Sequence, residues 1–306
     1  MSKELDELKK RMKSRRDNLD FDMKFNEYSK MYSRSNENLK EYIKNLEGKK
    51  VLCVASSGDH LLNSVYAGAT QVDTFDINRY TALYQELNIY AVKYLEPVKA
   101  YVFLCQFYPD IYWEFNNMLP PHLKEFFDYL FTNYHIDQIK SKLFNGFNSS
   151  LENCNYNSPD ALKVLQSRLP NIKHNHFCCN LYSITSFIKD KYDVMYLSNI
   201  LEYEKDFNKY FDIIRRLKEF YLNEGGEIYY NYLWAKSEDE DIRSCFWYSP
   251  NNYITYEDIQ ANKDIINTSK KVSIPSVYKY TDENGIPLPD LVLKVKKHVP
   301  KQKKWY

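Results

Sequence analysis

The sequence predicts an α/β protein: a doubly wound, mostly parallel sheet with a helical N-terminal segment and a helical insertion. Three observations carry this reading. The apolar runs 51–55 and 72–76 have the length of buried strands. Each is followed by residues at helical spacing, so strand, loop, helix, strand and helix succeed one another between Val51 and Leu95. The alternation then returns after residue 170, in the runs 176–180, 193–199 and 227–233. Strands that alternate with helices pack as parallel neighbours with helices covering the faces.

Residues 1–47 form a charged segment with helical spacing. Its cluster Lys9, Lys10, Arg11, Lys13, Arg15 and Arg16 reads as a solvated helix face or as a phosphate- or lipid-surface patch. A helix over 38–46 stops at Gly48. The first strand runs into Ser56-Ser57-Gly58-Asp59, and a helix over 60–67 is closed by Gly68. After the second strand a long helix covers 79–95 and ends before Pro97. Residues 101–116, 122–134 and 161–169 are helical, rich in bulky aromatics, and interrupt the alternation. Beyond them the pattern gives a helix over 183–189 and another over 205–222 that Gly225-Gly226 ends. Runs 277–280 and 291–295, joined through Asp282-Glu283-Asn284-Gly285, form a closing antiparallel pair. The expected organisation is therefore an N-terminal helical segment 1–47, a sheet domain from 48–97 with 171–306, and an insertion 98–170 serving as an acceptor lid.

Composition limits the function classes. The chain has 306 residues, 44% hydrophobic and 27% charged, which are globular values. With 42 Lys and Arg against 41 Asp and Glu the net charge is +1, so nothing draws the whole molecule to nucleic acid, which is disfavoured as a partner. No apolar run has membrane-spanning length and the first 20 residues carry no apolar leader core. A cytoplasmic protein is expected. The basic residues Lys294, Lys296, Lys297, Lys301, Lys303 and Lys304 read as a solvated tail or as a peripheral contact with anionic lipid or RNA. The six cysteines show no CxxC spacing and read as reduced core residues. His174 and His176 share one side of a strand but have no third ligand at metal spacing, so no metal is expected.

The first strand-to-helix loop carries the chemistry. Only seven glycines occur, and Gly58 stands where a positive φ or a close backbone approach is needed. Asp76 follows eighteen residues later at the carboxyl end of the second strand. An acid there accepts hydrogen bonds from a ribose diol, or else it caps the next helix with Asn78 close behind. The loop has neither the GxGxxG of a dinucleotide cradle nor a GxxxxGK[ST] phosphate loop, and Asp59 would repel a pyrophosphate. A phosphate-free nucleoside bearing an ammonium suits it better, and S-adenosylmethionine has both features.

The residues Ala55 to Asp59, Phe75 to Asn78 and Gln85 to Asn88 resemble the Rossmann-like class I S-adenosylmethionine transferases. With Leu197-Ser198-Asn199-Ile200-Leu201-Glu202-Tyr203 and the insertion, the chain is similar over roughly residues 30–235 to the S-adenosylmethionine:diacylglycerol 3-amino-3-carboxypropyltransferases of betaine-lipid synthesis. It departs from that family at Arg79, where proline is usual, and at Asn88, where lysine is usual. The resemblance implies S-adenosylmethionine as cofactor and a small-molecule or lipid acceptor, with transfer of the aminocarboxypropyl group favoured over the methyl group. A non-catalytic nucleoside-binding or scaffold protein on the same fold is the other class of reading.

By that resemblance Gly58 lets the methionyl end approach, Asp59 or Ser57 binds its polar end with Ser56 also in the cofactor loop, and Asp76 takes the ribose. Ile77 lies against the adenine, with Asn78 beside it. Asn180 reads the adenine amino group or is a turn residue, and Leu181 packs on the ring. Ser198 and Asn199 face the sulfonium or cap a helix. Glu202 is the candidate base, and Tyr203 or a tyrosine of the insertion the second. Asn36-Glu37-Asn38, after Tyr28 and Tyr32, is a lid or an exposed polar stretch.

Overall fold

The computed structural model describes residues 30–200, 207–235, 245–246, 268–271 and 290–296. Strands β1 (Lys50–Val54), β2 (Gln71–Asp76), β3 (Lys173–Cys178), β4 (Tyr192–Tyr196) and β5 (Leu222–Ala235) lie in the order β3-β2-β1-β4-β5. β1 pairs in parallel with β2 and with β4, and β4 in parallel with β5. This is the strand order of a doubly wound Rossmann-like sheet, which opens a crevice at the carboxyl ends of the strands where the order reverses. The predicted fold class is thus the observed one. β6 (Cys245–Phe246), β7 (Thr268–Lys271) and β8 (Asp290–Lys296) extend the sheet, with β8 antiparallel to both β5 and β7.

The chain forms two compact units, composed among the described residues of 30–35, 55–67 and 76–172, and of 36–54, 68–75 and 173 onward. The sheet unit also holds a short helix, α1 (Leu39–Tyr42), and α9 (Phe207–Arg216). Val51, Leu52 and Cys53 are fully buried, as befits a central parallel strand covered on both faces. Around Leu52 pack Phe75, Ile184, Met195, Leu197, Phe211 and Ile214.

The other unit is helical: α2 (Asp59–Tyr66), α3 (Arg79–Tyr94), α4 (Pro97–Gln106), α5 (Pro109–Phe115), α6 (Pro121–Asn133), α7 (Ile136–Leu143) and α8 (Pro159–Arg168). Pro97, Pro109, Pro121 and Pro159 each open a helix, where the missing N–H would have no intrahelical partner. The helix expected over 101–116 is two helices, because Phe107 takes a left-handed φ of +56° and Pro109 restarts the chain. The aromatic stripe is mostly core. Phe103, Phe107, Tyr112 and Phe115 are buried, with Tyr112 and Phe131 ring centroids 4.6 Å apart and Phe103 and Phe115 5.3 Å apart. Trp113 and Tyr108 are exposed.

Several expectations are corrected. The helix over 38–46 shortens to α1. β3 begins at Lys173 and not His176, since its alternating polar residues lie on the edge strand of this arm. The helix over 183–189 is one 3₁₀ turn, Ile184–Ser186. The helix over 205–222 ends in a π turn at Tyr221, and Gly225 and Gly226 lie inside β5. There a Cβ on Gly226 would meet the backbone oxygens of Asn223 and Asp193 at 2.9 Å each, where the β4–β5 register shifts. The partner of 291–295 is β7, while 277–280 and the N-terminal basic cluster lie outside the described residues. Among the described residues no helix is long and apolar enough to cross a membrane. Residues 294 and 296 lie in β8, and the rest of the basic tail falls outside the described residues.

Candidate functional site

In the helical unit, the loop that follows β1 turns sharply, with the Gly58 N–H donating to Ala55 O at 2.6 Å. Ser56 has φ +46° and Gly58 φ +85°. A Cβ on Gly58 would also meet Gln85 Cγ at 3.1 Å and its Cα at 3.3 Å. The glycine is therefore required twice, by its backbone conformation and by the approach of α3. Ser57 is buried and its carbonyl accepts from Asn88 Nδ2 at 3.4 Å.

Asp59 is fully buried and its partners come from this chain. Its carboxylate pairs with Arg34 Nη1 at 3.4 Å and accepts from the Ser35 N–H at 2.5 Å, Ser57 Oγ at 2.8 Å and Tyr156 OH at 2.5 Å. Arg34 is buried too; its Nη2 donates to Leu104 O and its guanidinium lies 6.0 Å from the Tyr84 ring centre. Burial opposes the guanidinium charge, but Tyr84, Asp59, Tyr156 and Cys154 together raise its affinity for the proton. Burial and the Asp59 charge hold the Tyr156 phenol well above its usual range. The expectation that Asp59 offers a free charge to a ligand ammonium is corrected: Arg34 already neutralises it, and the carboxylate ties residues 34–35 to the loop.

Asp76 ends β2 and is half-buried. Its carboxylate accepts from the Ser56 N–H at 3.0 Å and the Asn78 N–H at 2.9 Å. Burial pushes its pKa up to about 6, against the lowering effect of those amides. The cap of α3 is Asn78, whose Oδ1 accepts from the Tyr80 N–H at 3.0 Å, so the alternative that Asp76 caps this helix fails. Ile77, between them, is 43% exposed.

In the sheet unit the predicted residues divide. Asn180 is exposed, and its Oδ1 accepts from Ser183 N at 3.0 Å and Ser183 Oγ at 2.9 Å, an Asx-type turn. Leu181 is 2% exposed and packs in the core with Cys179 and Ile184, so protein atoms cover the surface it was expected to offer a ring. Ser198 follows β4 by two residues with φ +51°, the position and conformation that Ser56 has after β1. Its Oγ donates to Glu37 Oε1 and lies 3.4 Å from Asn199 Oδ1. Asn199 is half-buried. Glu202 and Tyr203 lie outside the described residues.

The sequence reading missed Arg34, Tyr156, Tyr42 and the burial of Glu37. Glu37 and Asn38 are 2% and 5% exposed, which removes the exposed polar stretch. Tyr42 OH donates to Glu37 Oε2, and the Tyr42, Tyr196 and Tyr229 rings pack with centroids 5.3–6.2 Å apart. No sequence signal pairs Arg34 with Asp59, 25 residues on. His174 Nδ1 lies 2.7 Å from Val72 O and His176 Nδ1 3.0 Å from Thr74 Oγ1, and burial holds the His176 pKa at about 4. Among the described residues no three His, Cys, Asp or Glu side chains gather as metal ligands.

No protein-family model matches the chain, and no curated protein matches it. Solved structures do resemble it. A putative S-adenosylmethionine dependent methyltransferase from Listeria monocytogenes has 13% identity over 85% of this chain and 96% of that one, with a TM-score of 0.41. The rRNA methyltransferase aviRa from Streptomyces viridochromogenes has 8% identity over 85% and 82%, with a TM-score of 0.40. The N-methyltransferase NodS from Bradyrhizobium japonicum WM9, solved with S-adenosyl-L-homocysteine, has 8% identity over 81% and 76%, with a TM-score of 0.38.

Proposed function

We propose that the chain is an S-adenosylmethionine-dependent transferase that passes either a methyl or a 3-amino-3-carboxypropyl group to a small-molecule or lipid acceptor. The observation that carries the reading is Asp76. It stands at the carboxyl end of β2, is oriented by two backbone amides, and is released from helix capping by Asn78. A carboxylate so placed suits a ribose diol. The exposed Ile77 side chain beside it suits one face of a purine, and the loop lacks the glycines that would cradle a pyrophosphate.

The cofactor, when bound, supplies a carbon already activated by its sulfonium charge. The chain then has to bind, align and exclude water. Asp76 and Ile77 hold the nucleoside. Gly58 sets the loop backbone, and Asp59 with Arg34 fixes that loop from beneath. The aminocarboxypropyl and methyl readings differ only in which carbon is attacked.

A second reading is favoured by one observation: the polar groups of the first loop are already satisfied by Arg34, Ser35 and Tyr156, as in a scaffold that kept the fold without turnover. Incubation with doubly labelled S-adenosylmethionine and a cell extract as acceptor source separates these. Methylthioadenosine reports aminocarboxypropyl transfer, S-adenosylhomocysteine reports methylation, and neither product, with the cofactor intact, rejects the transferase.

A further inference from the structure

We infer that the site in the helical unit recognises 5′-thioether nucleosides by the nucleoside and not by the amino-acid tail, so that methylthioadenosine occupies it as well as S-adenosylhomocysteine does. The inference rests on the transferase reading and names the ligand class of that same site. It follows from where the polar groups of the first loop are already spent. A zwitterionic tail needs an acid or a carbonyl for its ammonium, and an amide or a cation for its carboxylate. The acid of the loop, Asp59, is fully buried and holds Arg34, the Ser35 N–H, Ser57 Oγ and Tyr156 OH. An ammonium that displaced Arg34 would leave a buried guanidinium uncompensated.

The backbone of the loop is committed in the same way. The Ser56 N–H donates to Asp76, the Gly58 N–H to Ala55 O, and the Asp59 N–H to Ser57 Oγ at 3.3 Å. The Ser57 carbonyl accepts from Asn88. The cation is no freer: Arg34 spends Nη1 on Asp59 and Nη2 on Leu104 O, and its Nε, without a partner among the described residues, is sealed from solvent. The segment that carries it is anchored too, since Tyr84 OH donates to Ser33 O at 3.0 Å and the Asn148 N–H donates to Ser33 Oγ at 2.8 Å. The nucleoside end is the reverse. Ile77 is exposed, and each oxygen of the half-buried Asp76 accepts one amide and keeps a lone pair for a ribose hydroxyl. Methylthioadenosine therefore retains every contact that this unit offers the cofactor, and it is the nucleoside left behind when the aminocarboxypropyl group is the one transferred.

Calorimetric titration of the full-length parent with S-adenosylhomocysteine and, separately, with methylthioadenosine tests this without any variant. A tail gripped by two charge-assisted hydrogen bonds would favour S-adenosylhomocysteine by about 100-fold or more. The expected result is that methylthioadenosine binds no more than about tenfold more weakly than S-adenosylhomocysteine. A larger preference for S-adenosylhomocysteine overturns the inference and leaves the transferase reading standing. A parent that binds neither ligand overturns the transferase reading beneath it. Arg34→Lys, which keeps the charge but loses Nε, adds a second measurement. The ratio of the two affinities should be the same in this variant as in the parent, whereas a loss confined to S-adenosylhomocysteine would show that Arg34 holds the tail and would overturn the inference. Should Arg34→Lys fail to fold, the comparison in the parent decides.

Discussion

Asp76 is the residue on which stability and function pull apart. Its folded pKa of about 6 lies above the unfolded carboxylate value of 3.8, so the folded state holds the proton more tightly. Ionising Asp76 between about pH 4 and pH 6 therefore costs the fold stability, and that cost persists above pH 6. The parent should therefore lose about 1–3 kcal/mol of stability between pH 4 and neutral pH, read by denaturant titration, and Asp76→Asn, which has no charge to bury but only one acceptor oxygen for the Ser56 and Asn78 N–H groups, should lack that pH dependence. The same substitution should weaken the nucleoside, and in the parent protein affinity should fall as pH drops through about 6. Gly58 behaves oppositely. Gly58→Ala places a Cβ at φ +85° and 3.1 Å from Gln85, and should destabilise by about 1–3 kcal/mol in the same titration. For the buried pair, Arg34→Met leaves Asp59 without its cation and should cost about 3–5 kcal/mol, while removal of both charges together should cost less. Gly58 and Asp76 were legible in the sequence because one strand-to-helix loop and one strand end select those residue types. The partner of Asp59 was not, because a buried ion pair between residues 25 apart leaves no local pattern.

Among the elements, those with strong periodicity were legible and those shaped by neighbours were not. β1, β2 and α3 were found within a residue or two because apolar runs and an Asn cap define them locally. β3 was misplaced because Lys173, His174 and Asn175 belong to a strand whose exposure alternates, and half of that strand reads as loop. Gly225 and Gly226 read in the sequence as a helix stop, whereas in the structure they lie inside β5 where the β4–β5 register shifts. Gly226→Ala tests that assignment: with backbone oxygens at 2.9 Å on two sides the extra methyl should cost about 1–3 kcal/mol, seen as a lower Tm. An innocuous Gly226→Ala would mean that the glycine is not needed for close approach there.

For the whole molecule, the strand order β3-β2-β1-β4-β5 follows from the alternation of strands and helices, and the right-handed rule for parallel crossovers leaves few other topologies. Neither a transferase activity nor the group it would transfer follows from that order, because one fold hosts many functions and the side chains of the site decide between them. The antiparallel strands β7 and β8 were half legible: the run at 291–295 alternates as a strand should, but its partner lies twenty or so residues upstream and shares no turn signal with it. Ligand linkage is a property of the whole chain, and S-adenosylhomocysteine at 100 times its dissociation constant should stabilise the protein by about 2.7 kcal/mol. The most direct test is calorimetric titration of S-adenosylhomocysteine into the parent chain and into Asp76→Asn at neutral pH. Saturable binding by the parent, weakened about 10- to 100-fold in the variant, is the predicted result; no binding by the parent, or equal affinity in the two, would contradict the account.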